Sequence, residues 1–320
     1  MENISVNGIN NNEVVIFGFG GQGMAQALNL RDNGWKVSVY LRPTSSRISQ
    51  VKEAGLLLIS DPITAAKKAH LAVILLPDSQ QGAFYKEYLE ANLPEGSTMV
   101  FAHGLAVHYK QIVPRNDLDV VLVAPLAHAN AVRSEFLKGA GVPCMIAAAQ
   151  NASGEAPQLA HTYAKAISKT GPFLDTTFSE EVETDLFAEQ ALLCGGLPEL
   201  VRATFDTLIG AGYNPEAAYF SCLKELRPIV DLLDQHAISG LRNKVSDTAR
   251  YGAVTRGPRV IGDHAKKELG SILSEIRSGD FMTEFVNEGR NGYRVSQLQT
   301  ENDSEHQLEK IHRRYNPTTS

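Results

Sequence analysis

The glycines near the start of the chain have the spacing of a phosphate-binding turn. Gly18, Gly20 and Gly23 form G-x-G-x-x-G directly after the apolar run Val14–Phe17 and at the start of a helical pattern. Glycine at these positions permits a tight turn, close approach of a pyrophosphate and close packing of helix on strand. A glycine triplet alone also occurs in structural turns, but the strand–turn–helix context favours a dinucleotide site. The residues predicted to bind the cofactor here are Gly18, Phe19, Gly20, Gly21, Gln22 and Gly23.

The loop after the second apolar run suits a phosphate on the adenosine ribose. The run Lys36–Leu41 continues into a segment with Arg42, Ser45 and Arg47 and without a carboxylate. An NAD enzyme usually presents Asp or Glu to the ribose 2′-hydroxyl, whereas Arg forms charge-assisted bonds to a 2′-phosphate. We therefore expect NADP(H) rather than NAD(H), the alternative being a solvated loop with two incidental arginines.

An acidic cluster in the second half of the chain has the spacing of a metal site. Asp185 and Glu189 stand at i and i+4 on one face of a predicted helix. Two like charges repel unless a cation lies between them, and carboxylate oxygens are the ligands that Mg²⁺ prefers. Taken alone, such a pair is more often a solvated helix face.

The elements that must position these residues fall into two classes along the chain. The first half alternates short apolar runs with helical stretches, and continuous hydrophobicity indicates strands buried on both faces of a largely parallel sheet. The strand candidates are Val14–Phe17, Lys36–Leu41, Leu71–Leu76, Thr98–Ala102, Val120–Ala124 and Cys144–Ala149. Helical periodicity then takes over, in Glu180–Cys194, Leu197–Ala211, Pro215–His236 and His264–Ile276. The prediction is an α/β chain: a Rossmann-type, doubly wound domain over residues 1–178 and an all-helical domain over residues 179–320.

Composition excludes several classes of partner. The 320 residues carry 36 acidic against 30 basic side chains, a net charge of -6, without a basic block, so nucleic acid is not an expected partner. Met1–Asn12 has no apolar segment typical of a signal peptide, and no apolar run approaches the roughly 20 residues that cross a bilayer, so we expect a cytoplasmic protein. Cys144, Cys194 and Cys222 are expected to be reduced core residues. The polar stretch from about Arg290 is expected to be poorly ordered.

Several longer stretches form a pattern over nearly the whole chain. In order they are GFGGQGMAQALNLRDNG, ILLPD, FAHG with the later His108, GAGVP, ETDLFAEQALLCGG, AGYNPEAAYF, KELRPIVDL and GPRVI. This set resembles the ketol-acid reductoisomerase family of branched-chain amino-acid biosynthesis, which isomerises a 2-acetohydroxy acid and reduces the product with NADPH. The length is similar to that of the short class, which has one helical domain, a knotted fold and a homodimer whose active sites draw residues from both subunits.

The resemblance also implies roles for particular residues. It implies a catalytic histidine at His103 and a substrate-contacting serine at Ser246. It implies Mg²⁺ ligands at Asp185, Glu189 and Glu225, where the metal polarises the ketone and stabilises the alkoxide. The ILLPD stretch and its continuation imply further cofactor contacts at Asp78 and Gln81.

The chain departs from the family inside the implied active site. Where the family has two glutamates at i and i+4 for the second metal, this chain has Ser221 and Glu225, with Lys224 between them. Other departures are Leu126 for a family lysine, Ala127 and Ala129 for two glycines, and Arg250 for a glutamate.

These departures leave hydride transfer better supported than alkyl migration. We expect an NADPH-dependent, Mg²⁺-assisted oxidoreductase that acts on a 2-keto or 2-acetohydroxy acid. The alternatives are a working reductoisomerase, a reductase of another keto or imine compound in a specialised pathway, and an inactive nucleotide-binding homologue. The inactive homologue is disfavoured because a site without chemistry would have no need to keep Asp185 and Glu189, two carboxylates that repel each other.

Overall fold

The computed structural model describes residues 13–317 and divides into two compact units, Met1–Thr184 and Asp185–Ser320. The boundary falls inside one continuous helix, Phe178–Ala188, whose Phe178 packs in the core of the first unit. The expectation for Met1–Asn12 lies outside the described residues. Within residues 13–317, no helix combines the length and the apolar character needed to cross a membrane.

The first unit is built on one eight-stranded sheet. Its strands are β1 Glu13–Phe17, β2 Lys36–Tyr40, β3 Leu57–Ile59, β4 Leu71–Ile74, β5 Thr98–Phe101, β6 Asp119–Pro125, β7 Cys144–Gln150 and β8 Phe173–Asp175. Their order across the sheet is β3-β2-β1-β4-β5-β6-β7-β8. All neighbouring pairs are parallel except β6 and β7. The largely parallel, Rossmann-type sheet predicted from the sequence is confirmed.

Helices cover both faces of this sheet. They are α1 Gly21–Asp32, α2 Ile48–Glu53, α3 Pro62–Lys68, α4 Asp78–Phe84 with a π-turn over Tyr85–Leu89, α5 Leu105–His108, α6 Ala129–Leu137, α7 Ala156–Ser168 and α8 Phe178–Ala188. Successive residues of β1 enter opposite cores, Val14 and Ile16 on one face and Val15 and Phe17 on the other. Burial on both faces explains why the strands read as continuous apolar runs.

Two strands were not predicted from the sequence. The edge strands β3 and β8 are only three residues long, and their side chains are mostly exposed or half-buried. β8 presents no apolar run long enough to be distinguished from a loop, whereas β3 lies in the apolar run Leu56–Ile59, which was not recognised as a strand.

The second unit is helical throughout its described residues. A π-turn over Glu189–Leu193 extends α8, and another over Phe220–Lys224 extends α10. The remaining helices are α9 Gly196–Gly210, α10 Pro215–Tyr219, α11 Leu226–Lys244, α12 Asp247–Val260, α13 Asp263–Ser278, α14 Asp280–Arg290, α15 Arg294–Ser304 and α16 Gln307–Tyr315. The all-helical class predicted for this part of the chain is confirmed, while the knot implied by the resemblance stays a prediction.

Two expectations about this unit were wrong. The stretch after Arg290 forms α15 and α16, and Leu308 and Ile311 of α16 are buried in the core of the unit. A short amphipathic helix with two apolar anchors is easily read as a polar tail. Of the three cysteines only Cys144 is buried, whereas Cys194 is exposed and Cys222 half-buried.

Asn29 fixes α1 against two neighbouring helices. It is fully buried, and its side-chain amide donates to the carbonyls of Val132 (3.2 Å) and Ile167 (2.8 Å). Its carbonyl oxygen accepts a 2.8 Å bond from Arg133. Because α1 carries the glycine turn, this side chain contributes to holding the turn in place.

Replacing Asn29 by Ala should destabilise the first unit, because the two carbonyls lose their donor inside the protein. Unsatisfied buried groups cost about 1–3 kcal/mol each, so we expect the melting temperature to fall by about 5 °C or more. The control is Asn33→Ala near the end of the same helix, where an exposed side chain makes one 3.3 Å bond to Ala166. Equal melting temperatures for the two variants in a thermal scan would contradict the anchoring role.

Candidate functional site

The glycine turn has no room for side chains at two of its positions. Gly18 has φ +107, and a Cβ there would lie 2.4 Å from the Leu75 carbonyl oxygen. A Cβ on Gly23 would lie 2.5 Å from the Gly18 carbonyl oxygen, whereas one on Gly20 would meet nothing within 4 Å. The α1 N-terminus has no side-chain cap. The turn therefore packs tightly on its protein side and stays open where an anion would approach the first N–H groups of α1.

A buried amide lies beside this turn. β1 and β4 are neighbours in the sheet, and the chain leaves β1 on opposite sides to reach β2 and β4, so their carboxyl ends form the switch point where α/β folds bind ligands. Gln81 follows β4 and is 4% exposed, with its Nε2 donating to the Leu76 carbonyl (2.9 Å) and to Asp78 Oδ1 (3.0 Å). Its Oε1 has no hydrogen-bond partner among the residues described. An acceptor fixed in this way indicates a missing donor group.

The loop after β2 contains the predicted basic residues. Arg42 and Arg47 are exposed, and Ser45 Oγ accepts the backbone N–H of Arg47 at 3.2 Å. The Arg47 guanidinium bonds to Gln50 at 3.0 Å. Asp61, which follows the neighbouring strand β3, is engaged in capping α3 through the Thr64 N–H at 2.7 Å. Two guanidinium groups thus flank a loop whose own residues include no carboxylate.

His103 is oriented by a buried carboxylate that the sequence analysis did not single out. Glu181 of α8 is 2% exposed; its Oε1 lies 2.9 Å from His103 Nδ1, and its Oε2 accepts the Gly104 N–H at 3.0 Å. Since a carboxylate only accepts, His103 carries a proton on Nδ1 and, when neutral, has its lone pair on Nε2. A Cβ on Gly104 would lie 2.8 Å from Phe178, so glycine permits this close approach of β5 and α8.

The acidic face of α8 extends through three turns. Glu181, Asp185 and Glu189 follow one another at intervals of four residues, and Glu189 begins the π-turn. His103, Glu181 and Asp185 each offer a ligand atom, and these atoms lie within 4.8 Å of one another. Glu189 is exposed and does not join this group of three. The spacing that predicted the pair Asp185 and Glu189 would also have revealed Glu181 if followed one turn backwards.

A second histidine lies close to this group. His108 Nε2 is 4.0 Å from Glu183 Oε1, and the ring of His108 stacks edge-on against Tyr109. Burial lowers the pKa of His108, partly offset by the charges of Glu183 and Glu181. The neutral form of His108 is therefore favoured near pH 7.

The other two predicted residues belong to the second unit. Glu225 directly follows the π-turn Phe220–Lys224, and its backbone N–H bonds to the Phe220 carbonyl at 3.2 Å. Ser246 is the N-cap of α12 and accepts the Ala249 N–H at 3.2 Å. Both of these side chains are exposed. Each carboxylate predicted in this unit besides Asp185 thus borders a π-turn, a feature frequent at functional sites.

The loop with the departing residues packs against the glycine turn. Gln22 Nε2 donates to the Ala127 carbonyl at 3.1 Å, and a Cβ on Gly21 would lie 3.1 Å from the Ala129 Cβ. Leu126 is 42% exposed although it is apolar. His128 caps α6 by accepting the Asn130 N–H at 3.4 Å. Leu126, which stands where the family has a lysine, is therefore an exposed apolar residue at the carboxyl end of β6.

Comparison with known proteins agrees with the fold. The family described as "Acetohydroxy acid isomeroreductase, NADPH-binding domain" matches residues 8–171, and the one described as "Ketol-acid reductoisomerase, C-terminal domain" matches residues 178–318. An NADH-preferring ketol-acid reductoisomerase from an uncultured archean is 36% identical. That match covers 96% of this chain and 95% of the archaeal one, with a TM-score of 0.91.

More distant structures share the fold alone. A semialdehyde dehydrogenase NAD-binding protein from Cupriavidus necator is 19% identical over 83% of this chain and 98% of its own, with a TM-score of 0.63. A pyrroline-5-carboxylate reductase from Coxiella burnetii is 14% identical over 84% of this chain and 98% of its own, with a TM-score of 0.58. With both domain families matched in order, the chain belongs to the ketol-acid reductoisomerase family, oxidoreductases of branched-chain amino-acid biosynthesis that act on a small molecule with a nicotinamide cofactor.

Proposed function

We propose that this chain is an NADPH-dependent, Mg²⁺-assisted reductase of a 2-keto or 2-acetohydroxy acid. The observation that carries the proposal is the half-buried His103 paired with the buried Glu181, with Asp185 one turn further along α8. His103 follows β5, and β5 lies next to β4, so this group shares the carboxyl edge of the sheet with the glycine turn. A hydride donor bound at the turn would lie at the same edge as His103.

The residues at the turn fit a dinucleotide. Gly18 and Gly23 remove the side chains that would fill the turn, and the uncapped N-terminus of α1 suits a pyrophosphate. Gln81 Oε1 is a shielded acceptor that suits a hydroxyl or amide donor of the cofactor. The other assigned contacts are Phe19, Gly20, Gly21, Gln22 and Asp78. Arg42, Ser45 and Arg47 favour a 2′-phosphate, whereas the NADH preference of the archaeal relative is the competing outcome.

The donor set on α8 fits a hard cation. Glu181 bonds to His103 and Gly104, and Asp185 and Glu189, four and eight residues further along the chain, are the carboxylates assigned to hold Mg²⁺. Glu225 is assigned as the remaining ligand and Ser246 as a substrate contact. Mg²⁺, when bound, would polarise the oxygen of the substrate carbonyl.

His103 is assigned the proton transfer that accompanies reduction. Hydride addition to the carbonyl carbon leaves a negative charge on the oxygen, and the protonated Nε2 of His103 can supply the proton that forms the hydroxyl. Glu181 fixes the orientation of the ring and stabilises its protonated form, as carboxylates paired with catalytic histidines do. The buried carboxylate also disfavours an inactive homologue, because burying an idle charge is costly.

The quaternary structure is proposed to be a cytoplasmic homodimer. Several large apolar side chains of α11 are exposed in the single chain, including Val230 at 50% and Ile238 at 62%. Exposed apolar patches of this kind commonly mark an interface with another subunit. We keep the functional boundary between the domains at residues 178 and 179, near the start of α8.

NADPH should bind at least about tenfold tighter than NADH, a difference of about 1.4 kcal/mol, because Arg42 and Arg47 attract the 2′-phosphate. Replacing both arginines by Asp should reverse the preference, since a carboxylate accepts from the 2′-hydroxyl and repels the phosphate. Fluorescence titrations of both cofactors measure the ratio. Equal affinities in the unmodified protein would exclude the phosphate-binding role of this loop.

Two magnesium ions should bind with unequal affinity. Asp185 and Glu189 provide two carboxylates for one ion, whereas Ser221 has removed a carboxylate from the other site and left Glu225. Calorimetry with MgCl₂ should therefore resolve a tighter and a weaker step, and Asp185→Asn should remove the tighter one. Two equivalent high-affinity steps would contradict this assignment, and the absence of any binding would favour the inactive homologue.

The protein should reduce an already rearranged 3-hydroxy-2-keto acid, or a simpler 2-keto acid, better than it converts 2-acetolactate. His103, Asp185 and Glu189 should each be required for that reduction. Combining Ser221→Glu with Leu126→Lys should raise acetolactate turnover, because the changes restore a metal ligand and a charged donor. The gain should be modest, since Ala127, Ala129 and Arg250 also differ and active-site effects are not additive.

The decisive measurement is NADPH oxidation with the two acids side by side. If the unmodified protein turns over acetolactate as readily as the rearranged acid, the departures are tolerated variation within a working reductoisomerase. If it reduces neither but reduces other keto or imine compounds, the specialised reductase is favoured instead.

A further inference from the structure

The last helix of the second unit clamps the segment that leads into Glu225. Leu308 and Ile311 of α16 are buried in one cluster with Tyr219, the last residue of α10. The ring of Tyr315 stacks on the ring of Tyr219, with centroids 5.9 Å apart and planes 14° from parallel. It also meets Phe220 edge-on at 4.9 Å. The π-turn before Glu225 is therefore packed against the final turns of the chain.

Asn316 joins the polar groups of this clamp. Its Nδ2 donates to the Tyr219 hydroxyl (3.1 Å) and to the His312 carbonyl (3.0 Å). Its Oδ1 accepts a 2.9 Å bond from Lys224 Nζ, which lies 5.8 Å from the centroid of the Tyr219 ring. Tyr219 is fully buried, and its hydroxyl also bonds to His312 Nδ1 at 3.1 Å. Asn316 Nδ2 is thus bonded to the buried Tyr219, and Asn316 Oδ1 binds the ammonium of Lys224.

The position of this ammonium matters because Lys224 immediately precedes Glu225. Neighbouring Cα atoms are about 3.8 Å apart, and lysine has a flexible four-carbon stem, so a released Nζ can reach the Glu225 carboxylate. A cation already seated there would compete with Mg²⁺ for the oxygens. This competition would lower the affinity of the weaker Mg²⁺ binding step. In that step Glu225 is the remaining carboxylate of its helix segment, because Ser221 stands where the family has a glutamate.

We propose that Asn316 is a positioning residue for the metal-binding carboxylate Glu225. By accepting the Lys224 hydrogen bond it keeps the ammonium on α16 and leaves the carboxylate available. The inference rests on the proposed function, in which Glu225 is a Mg²⁺ ligand. It assigns to the C-terminal helix a role in metal affinity in addition to its role in the core.

The test is a set of full-length variants titrated with MgCl₂ by calorimetry, with melting temperatures measured in parallel. Asn316→Ala should weaken the weaker binding step about threefold, the strength of an exposed ion pair, and leave the tighter step unchanged. Adding Lys224→Met to Asn316→Ala should restore the affinity, because no ammonium remains to compete. Asn316→Asp keeps an acceptor for Lys224 and should bind Mg²⁺ as the unmodified protein does.

Rescue by Lys224→Met separates positioning from structural damage. If Asn316→Ala lowers the melting temperature and the affinity but the second substitution restores neither, Asn316 is merely structural and the inference is overturned. It is equally overturned if Asn316→Ala binds Mg²⁺ normally. Glu225→Gln tests the metal ligand separately from the role of Asn316. Loss of the weaker Mg²⁺ binding step supports Glu225 as a ligand. An unchanged weaker step excludes Glu225 as a ligand and overturns this inference as well.

Discussion

A carboxylate with 2% exposure needs hydrogen-bond donors wherever it has lone pairs, and Glu181 obtains them from His103 and from the Gly104 backbone. Removing such a partner from a buried charged group typically costs several kcal/mol, about 3–5 for an ion pair. The bonds therefore tie α8 to the end of β5. Asp185 follows Glu181 by four residues in α8, and its ligand atom comes within 4.8 Å of those of His103 and Glu181.

The sheet explains why this contact lies where a cofactor can use it. Parallel strands release their chain at the same edge, and crossover helices in both directions open a crevice between β1 and β4. β5 is the next strand, so His103, two positions beyond its end, follows the same edge of the sheet. The glycine turn needs no side chain of its own there, because backbone N–H groups and the helix dipole supply the attraction for phosphate.

Prediction from the sequence succeeded where the signal was local and failed where it depended on burial. The runs that became β1, β4 and β6 are continuously apolar, as strands buried on both faces are, whereas β8 has only two apolar residues before a carboxylate and does not stand out. Glu181 was missed because a glutamate in an acidic helix is normally solvated. Its spacing from Asp185 marks it as a candidate, but its burial depends on contacts with His103 and Gly104 that the sequence does not show. Leu308 and Ile311 were missed because two apolar residues in a polar tail gain meaning only from the core that they enter.

The departures from the family become easier to understand when their charges are considered together. Ser221 stands in place of a negative charge and Leu126 in place of a positive one, so these two changes balance in sign. Arg250 replaces a carboxylate by a cation, but its guanidinium is paired with Asp247 one turn earlier on α12. The added cation thus has a local partner, as the ammonium of Lys224 has in Asn316. In the proposed function, the site keeps one anionic metal position at Asp185 and Glu189 and a histidine oriented by Glu181, which are the groups that carbonyl reduction requires. Two dications held close together would require more negative charge than these positions retain.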